Sequence, residues 1–247
     1  MSLIITVYTN EGIVMSSDSR TTFNKQDFSL LPDGKGTIIT NNQGVHYSDT
    51  TYKTFLTPNN VGVSTCGAAA IGGKPVAGYI EDFINNNIGA NTKVSETANK
   101  ILDEFRKFNP IPDITFHVAG YEHNEGAVNQ RFYRVYVAPG RIEEINVSSQ
   151  GAAWNGEAEI LSRVINPYWQ EVSFKDGTTR YKKHDAPPIP WNFFSLQDAI
   201  DFSMYAMNIT IETMRFQERL KTVGKPIDIL AIKPTGAFWI QRKELHS

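Results

Sequence analysis

A single cysteine, Cys66, stands among 247 residues, which excludes an internal disulfide framework and any cysteine-based zinc site within one chain. Long hydrophobic runs are also missing. No apolar stretch reaches membrane-spanning length, and the first residues alternate in character instead of forming a signal-peptide core behind positive charges. A cytoplasmic protein with no membrane partner is the expectation. Neither sign of charge is in excess: the formal net charge is −2 with Lys, Arg, Asp and Glu dispersed along the chain, so no basic face is offered to nucleic acid. The histidines do not group either. His46, His123, His184 and His246 lack metal-ligand spacing and His117 reads as a core or sheet residue, so no metal and no other cofactor is expected. Tandem repeats and low-complexity tracts are absent.

What is present is an ordered change of periodicity. Strand-like runs occupy about Leu3 to Thr9, Gly12 to Asp18, Lys53 to Thr57 and Val61 to Cys66. Helical spacing follows: Val76, Tyr79, Ile80, Phe83 and Ile84 share one face behind Pro75, and Ser95, Ala98, Ile101, Leu102, Phe105 and Phe108 mark a second helix stopped by Asn109-Pro110. Strands return from about Ile114 to Val147, and Gly156 to Ile165 reads as helix. Ser195-Leu196-Gln197-Asp198 has the form of a capping box opening a long helix through about Leu220, with Ile200, Met204, Met207, Ile211 and Met214 as its apolar stripe. Ile227 to Ile232 and Ala237 to Gln241 close the chain as a hairpin. This order predicts one domain over residues 1–247, an α+β, four-layer αββα sandwich of two antiparallel sheets flanked by helices. Two segments read as inserts. In residues 23–50, Asn41-Asn42-Gln43-Gly44 predicts the turn of an extra hairpin; residues 167–194 are rich in aromatics, with Pro187-Pro188-Ile189-Pro190 as a stiff extended piece.

The chemistry concentrates near the start. Two strand-like runs joined by Asn10-Glu11-Gly12 form a hairpin, which returns the beginning of the chain to the side of Asp18-Ser19-Arg20. Met1-Ser2 is a pair that methionine aminopeptidase trims, because the second side chain is small. Trimming would leave one residue carrying both a hydroxyl and a free α-amine, a nucleophile and its base in a single amino acid.

This opening resembles that of proteasome β-subunits and of the peptidase subunit of the bacterial ATP-dependent two-component protease, both N-terminal nucleophile hydrolases. With Ser2 on the family's N-terminal threonine, the motif acid falls on Asp18 and the following arginine on Arg20. Lys53, in Asp49-Thr50-Thr51-Tyr52-Lys53, matches the active-site lysine, and Gly67, in Val63-Ser64-Thr65-Cys66-Gly67, the oxyanion-hole glycine; the separation of 14 residues is the family's own. Ile114 to Tyr121 with Arg131 to Val137 is similar to its central hairpin. The match departs at the supporting residues. Asn155-Gly156 stands where the family has Ser-Gly, and around Lys221-Thr222-Val223-Gly224 neither the family's Asp nor its Ser is clearly kept, leaving Glu218 or Thr222 as substitutes.

The resemblance implies a serine-type counterpart of the threonine-type endopeptidases, in which Ser2 attacks, its α-amine takes the proton, Lys53 and the Gly67 N–H stabilise the oxyanion, and Asp18 holds Lys53. Arg20, Asn155 and Gly156 would support them. It also implies a homo-oligomer associating through its helical layer, and raises an ATPase partner that the sequence leaves unidentified. Three readings remain open: a peptidase, a small-molecule amidase or acylase on the same scaffold, and a non-catalytic assembly protein that retains Met1. The substrate is accordingly a peptide or a small amide. The lack of an N-terminal helical extension argues for a β-type over an α-type subunit.

Overall fold

The computed structural model describes residues 2–30, 37–124 and 126–244. Strands β1 (Leu3–Tyr8) and β2 (Ile13–Ser17) form the opening hairpin, closed where the Thr9 N–H donates to the Gly12 carbonyl at 2.9 Å. A second hairpin follows, β3 (Thr21–Leu30) with β4 (Thr37–Ser48). Short β5 (Thr54–Leu56) leads to β6 (Gly62–Gly67), then to the two-residue pair β7 (Ala70–Ile71) and β8 (Lys74–Pro75). Helices α1 (Val76–Asn87) and α2 (Val94–Phe105) precede β9 (Ile114–Asn124), β10 (Ala127–Tyr136), β11 (Arg141–Glu144) and β12 (Gly151–Gly156). After α3 (Glu159–Ile165) come β13 (Tyr168–Ser173) and β14 (Thr179–His184), then α4 (Leu196–Phe216), β15 (Asp228–Lys233) and β16 (Gly236–Gln241).

The main strands make two five-stranded antiparallel sheets, ordered β12-β1-β2-β15-β16 and β11-β10-β9-β6-β5. Period-two alternation decides what each face meets. Leu3, Ile5 and Val7 of β1 join Ile229 and the inner sides of α3 and α4, whereas Tyr8, Ile13, Met15, Ala119, Phe132, Leu230 and Ile232 form a core between the sheets. On the far side, Ile114, Phe116 and Val118 of β9 pack with Ile80, Phe83, Ile101 and Phe105 of α1 and α2. Three stacked cores between helix, sheet, sheet and helix constitute the expected αββα sandwich.

Several local expectations change. The Ser195 cap on α4 has the predicted reciprocal form with Asp198, but the face buried on the sheet is centred on small residues, Ala199, Ser203, Ala206 and Thr210, with Met207 and Met214. Ile200, Met204 and Ile211 flank that contact instead of forming its centre, because small side chains let a helix lie close on a sheet. The helix stops at Phe216, short of Leu220. Gly156 ends a strand, and α3 begins only at Glu159. Asn41 to Gly44 does not turn: β4 runs through it, paired with β3 from Asn24 to Asp27, and the register shifts there absorb the extra residues. The link between β3 and β4 at 31–36 lies outside the described residues. The second insert contains a hairpin, β13 with β14, whose turn signal is Asp176-Gly177: Asp176 accepts from Thr178 N at 2.9 Å, and Gly177 has φ +84°.

Candidate active site

The β1–β2 register places Ile4 opposite Ser17, so Leu3 meets Asp18 and Ser2 lies at the end of the ladder. Asp18 closes the pairing in two ways. Its N–H donates to the Leu3 carbonyl at 3.3 Å, and its Oδ1 accepts from the Leu3 N–H at 3.0 Å. The carboxylate is fully buried, and its other oxygen accepts from the N–H groups of Arg20 at 2.9 Å and Gly224 at 3.1 Å. Three backbone donors thus hold one carboxylate away from water, which offsets its burial.

Lys53 immediately precedes β5, and its carbonyl accepts from Thr65 N at 2.8 Å, which sets it beside the end of β6 where Cys66 and Gly67 follow. Its ammonium, in a residue only 4% exposed, reaches Asp18 Oδ1 at 2.8 Å and also donates to the Arg20 carbonyl. Burial pulls the Lys53 pKa below the ordinary lysine value, and the Asp18 charge pulls it back up. Ser2, 7% exposed, shares the lining of a small cavity with Tyr52, Lys53, Thr65, Cys66, Gly67, Ala68 and Ala69. Ser2, Asp18, Lys53 and Gly67, distant in sequence, are therefore gathered at one place.

The supporting residues take different positions. Arg20 turns its guanidinium to Asp49, with Nε and Nη2 each 2.7 Å from a carboxylate oxygen, and lies 4.3 Å from the centre of the Tyr47 ring. What it gives Asp18 is its backbone N–H. Asn155 Oδ1 lies 2.8 Å from His117 Nε2, and His117 Nδ1 lies 2.8 Å from Thr6 Oγ1, so this chain of polar groups bridges the two sheets. Gly156, at φ +95°, lies against Ser2: a Cβ there would sit 1.8 Å from the Ser2 carbonyl oxygen. Glycine is the only residue that fits both that conformation and that approach. Gly67 is also in the left-handed half of conformational space, at φ +115°.

Cys66 lies inside β6, 5% exposed, and burial pushes its thiol up to about 12, so it is not a nucleophile at neutral pH.

Sequence reading missed three participants. Gly224 N–H is the third donor on Asp18. Glu157, directly after Gly156, donates its N–H to the Ser2 carbonyl at 2.8 Å, and its buried carboxylate accepts from Arg219 Nη2 at 2.7 Å and Thr222 Oγ1 at 3.1 Å. Thr222 is thus engaged, whereas Glu218 is exposed. Lys243 forms a second buried ion pair with Asp228, and its ammonium lies 4.5 Å from the centre of the Tyr52 ring in the cavity wall. An acid placed directly after an Asn-Gly that ends a strand was the available signal for Glu157; nothing local marks Gly224 or Lys243.

The two stacked sheets with helices on both outer faces form an αββα sandwich whose fold is shared with a solved structure. Among solved structures the chain is similar to Anbu (ancestral beta-subunit) from Yersinia bercovieri, with a TM-score of 0.57 and 16% identity over 96% of this chain and 86% of that one. No protein-family model and no curated protein sequence matches the chain. Among the described residues, no helix is long and apolar enough to cross a membrane.

Proposed function

We propose that the protein is a proteasome-like N-terminal serine hydrolase that cleaves amide bonds, peptide bonds foremost, with Ser2 as nucleophile once Met1 is removed. One observation carries the reading. A single oxygen, Asp18 Oδ1, accepts from both the N–H of Leu3, next to Ser2, and the ammonium of Lys53. That shared atom fixes the cation relative to the nucleophile's backbone, a positioning that a solvated surface pair does not provide.

In this mechanism the α-amine of Ser2, neutral in part near its reference pKa of about 7.7–8.0, takes the hydroxyl proton as the oxygen attacks the substrate carbonyl. Negative charge then develops on the carbonyl oxygen, where the Lys53 ammonium and the Gly67 N–H stabilise it. The ammonium formed on Ser2 returns the proton to the leaving amine as the C–N bond breaks. Water, deprotonated by the same α-amine, hydrolyses the resulting ester and regenerates Ser2. Asp18 supports Lys53 throughout, through the contact of its Oδ1 with the ammonium.

The test is covalent labelling of protein whose intact mass shows loss of Met1. A peptidyl epoxyketone bonds twice: the hydroxyl adds to the ketone and the amine opens the epoxide, with no leaving group. A double adduct on Ser2, absent from Ser2→Ala and from protein retaining Met1, is the expected result. Equal labelling of all three preparations would place the reactive group elsewhere.

A further inference from the structure

We infer that Glu157 is a positioning residue that couples Ser2 to the clasp on Asp18. The inference rests on the reading of Ser2 as nucleophile and deepens it. The family's supporting acid is not clearly kept near residues 221–224, yet a buried carboxylate reaches that segment from elsewhere in the chain. Glu157 sits just past the end of β12, where its N–H holds the Ser2 carbonyl at 2.8 Å. Its side chain extends to the segment after α4, taking Arg219 Nη2 on Oε1 and Thr222 Oγ1 on Oε2. Two residues beyond Thr222, the Gly224 N–H closes on Asp18 Oδ2 and the Gly224 carbonyl accepts from Ser19 N at 3.0 Å.

A continuous path therefore runs from the carbonyl of Ser2 through Glu157 to Thr222 and Gly224, then to Asp18, and from Asp18 to Lys53 and back to Leu3. Thr222 and Gly224 are joined through the chain itself, every other link is a hydrogen bond of 3.1 Å or less, and Glu157 and Thr222 are only 5% and 3% exposed. A charged acceptor at a buried junction costs much when one partner is removed. Losing the carboxylate would free the 219–224 segment, and the Asp18–Lys53 pair would lose one of its three backbone anchors. The nucleophile and its cation would then drift independently, and reaction rates are sensitive to such misplacement.

The experiment uses Met1-free protein with Glu157→Gln and, as a second removal of the same link, Thr222→Val. Glu122→Gln serves as control: Glu122 is similarly buried, accepts from Ser95 at the start of α2, and lies toward the opposite end of β9 from Ile114, the partner of Gly67. Labelling of Ser2 by the epoxyketone is expected to slow tenfold or more in Glu157→Gln and several-fold in Thr222→Val, and to stay within twofold in the control. Amide exchange at Gly224 should quicken in both site variants and not in the control, as expected when one segment opens locally. Glu157→Asp, which restores the charge on a shorter stem, should recover part of the rate. Labelling of Glu157→Gln within twofold of wild type, or unchanged exchange at Gly224, overturns the inference. If Met1-free wild type is not labelled, the Ser2 reading fails, and exchange alone decides the coupling: quicker at Gly224 in Glu157→Gln supports it, unchanged exchange overturns it.

Discussion

Gly156 lies so near Ser2 that a methyl group in place of its hydrogen would stand 1.8 Å from the Ser2 carbonyl oxygen. The contact gives the end of β12 a direct hold on the start of β1, strengthened by the Glu157 N–H on the same carbonyl. Gly156→Ala should therefore act at two levels. The left-handed φ and the overlap together cost about 2–6 kcal/mol of stability, and Ser2 must move from its place beside Lys53. Urea titration with parallel Ser2 labelling checks this: a variant as stable and as reactive as wild type would show that the contact constrains nothing.

Lys53 and Asp18 form a pair too buried for either partner to be removed without effect. Lys53→Met leaves the Asp18 carboxylate with its three backbone donors, so the loss should fall near the lower end of the range for broken buried pairs, about 3 kcal/mol. Asp18→Asn removes the negative charge and leaves the ammonium only neutral acceptors, the amide oxygen and the Arg20 carbonyl. The double variant should lose less than the sum of the single ones, the signature of a coupled pair. Simple additivity in denaturation free energies would mean that the two charges do not stabilise each other.

Parts of this arrangement were legible in the sequence, and the division follows distance along the chain. The Asn-Glu-Gly turn and two alternating runs specify the hairpin, and the hairpin alone brings Asp18 to Leu3. Likewise β5 and β6 are neighbours in sequence, so the spacing of Lys53 and Gly67 survives folding. Gly224 on Asp18, Glu157 on Thr222 and Thr6 on His117 span 206, 65 and 111 residues; they exist only because the sheets stack and α4 returns the chain to the site. No local pattern encodes such contacts. The β13–β14 hairpin was missed for a different reason: its residues are largely exposed, so no buried face imposes an alternation to read.

His117 provides a stability test independent of catalysis. Enclosed between the sheets, it has its pKa lowered to about 4, mainly because burial penalises the charged ring. The folded pKa lies below the unfolded value near 6.5, so between those values the unfolded chain binds more protons and stability falls as the medium is acidified. The contribution is fully present above about pH 6.5, and roughly 3 kcal/mol of it is lost by about pH 4. His117→Gln should show a shallower loss between pH 6.5 and 4 than wild type in chemical denaturation. Parallel curves for the two proteins would contradict a buried neutral imidazole.

Cys66 should resist a thiol reagent in the native protein. Its sulfur is enclosed and its pKa, near 12, leaves almost no thiolate at pH 8. Iodoacetamide should modify it only after denaturation, at the rate of a free cysteine, and Gly156→Ala should quicken native modification because a Cβ at Gly156 would also lie 3.3 Å from the Cys66 Cβ. Fast labelling of native wild type, read by intact mass, would show that the end of β6 opens to solvent.

The charge on Lys53 should set the alkaline limit of reactivity at Ser2. Burial lowers its pKa and Asp18 raises it, with burial the larger influence, so the ammonium loses its proton at lower pH than a solvated lysine does. Labelling should rise as the Ser2 α-amine deprotonates and then fall once Lys53 becomes neutral, because a neutral amine no longer stabilises the oxyanion. Asp18→Asn removes an influence that raises the Lys53 pKa while burial remains, so the alkaline limb should move to lower pH. The measurement is the rate of epoxyketone labelling of Met1-free protein across alkaline pH. A limb that stays in place in Asp18→Asn, or moves upward, would show that Lys53 is not the group being titrated; a downward shift of the alkaline limb identifies it.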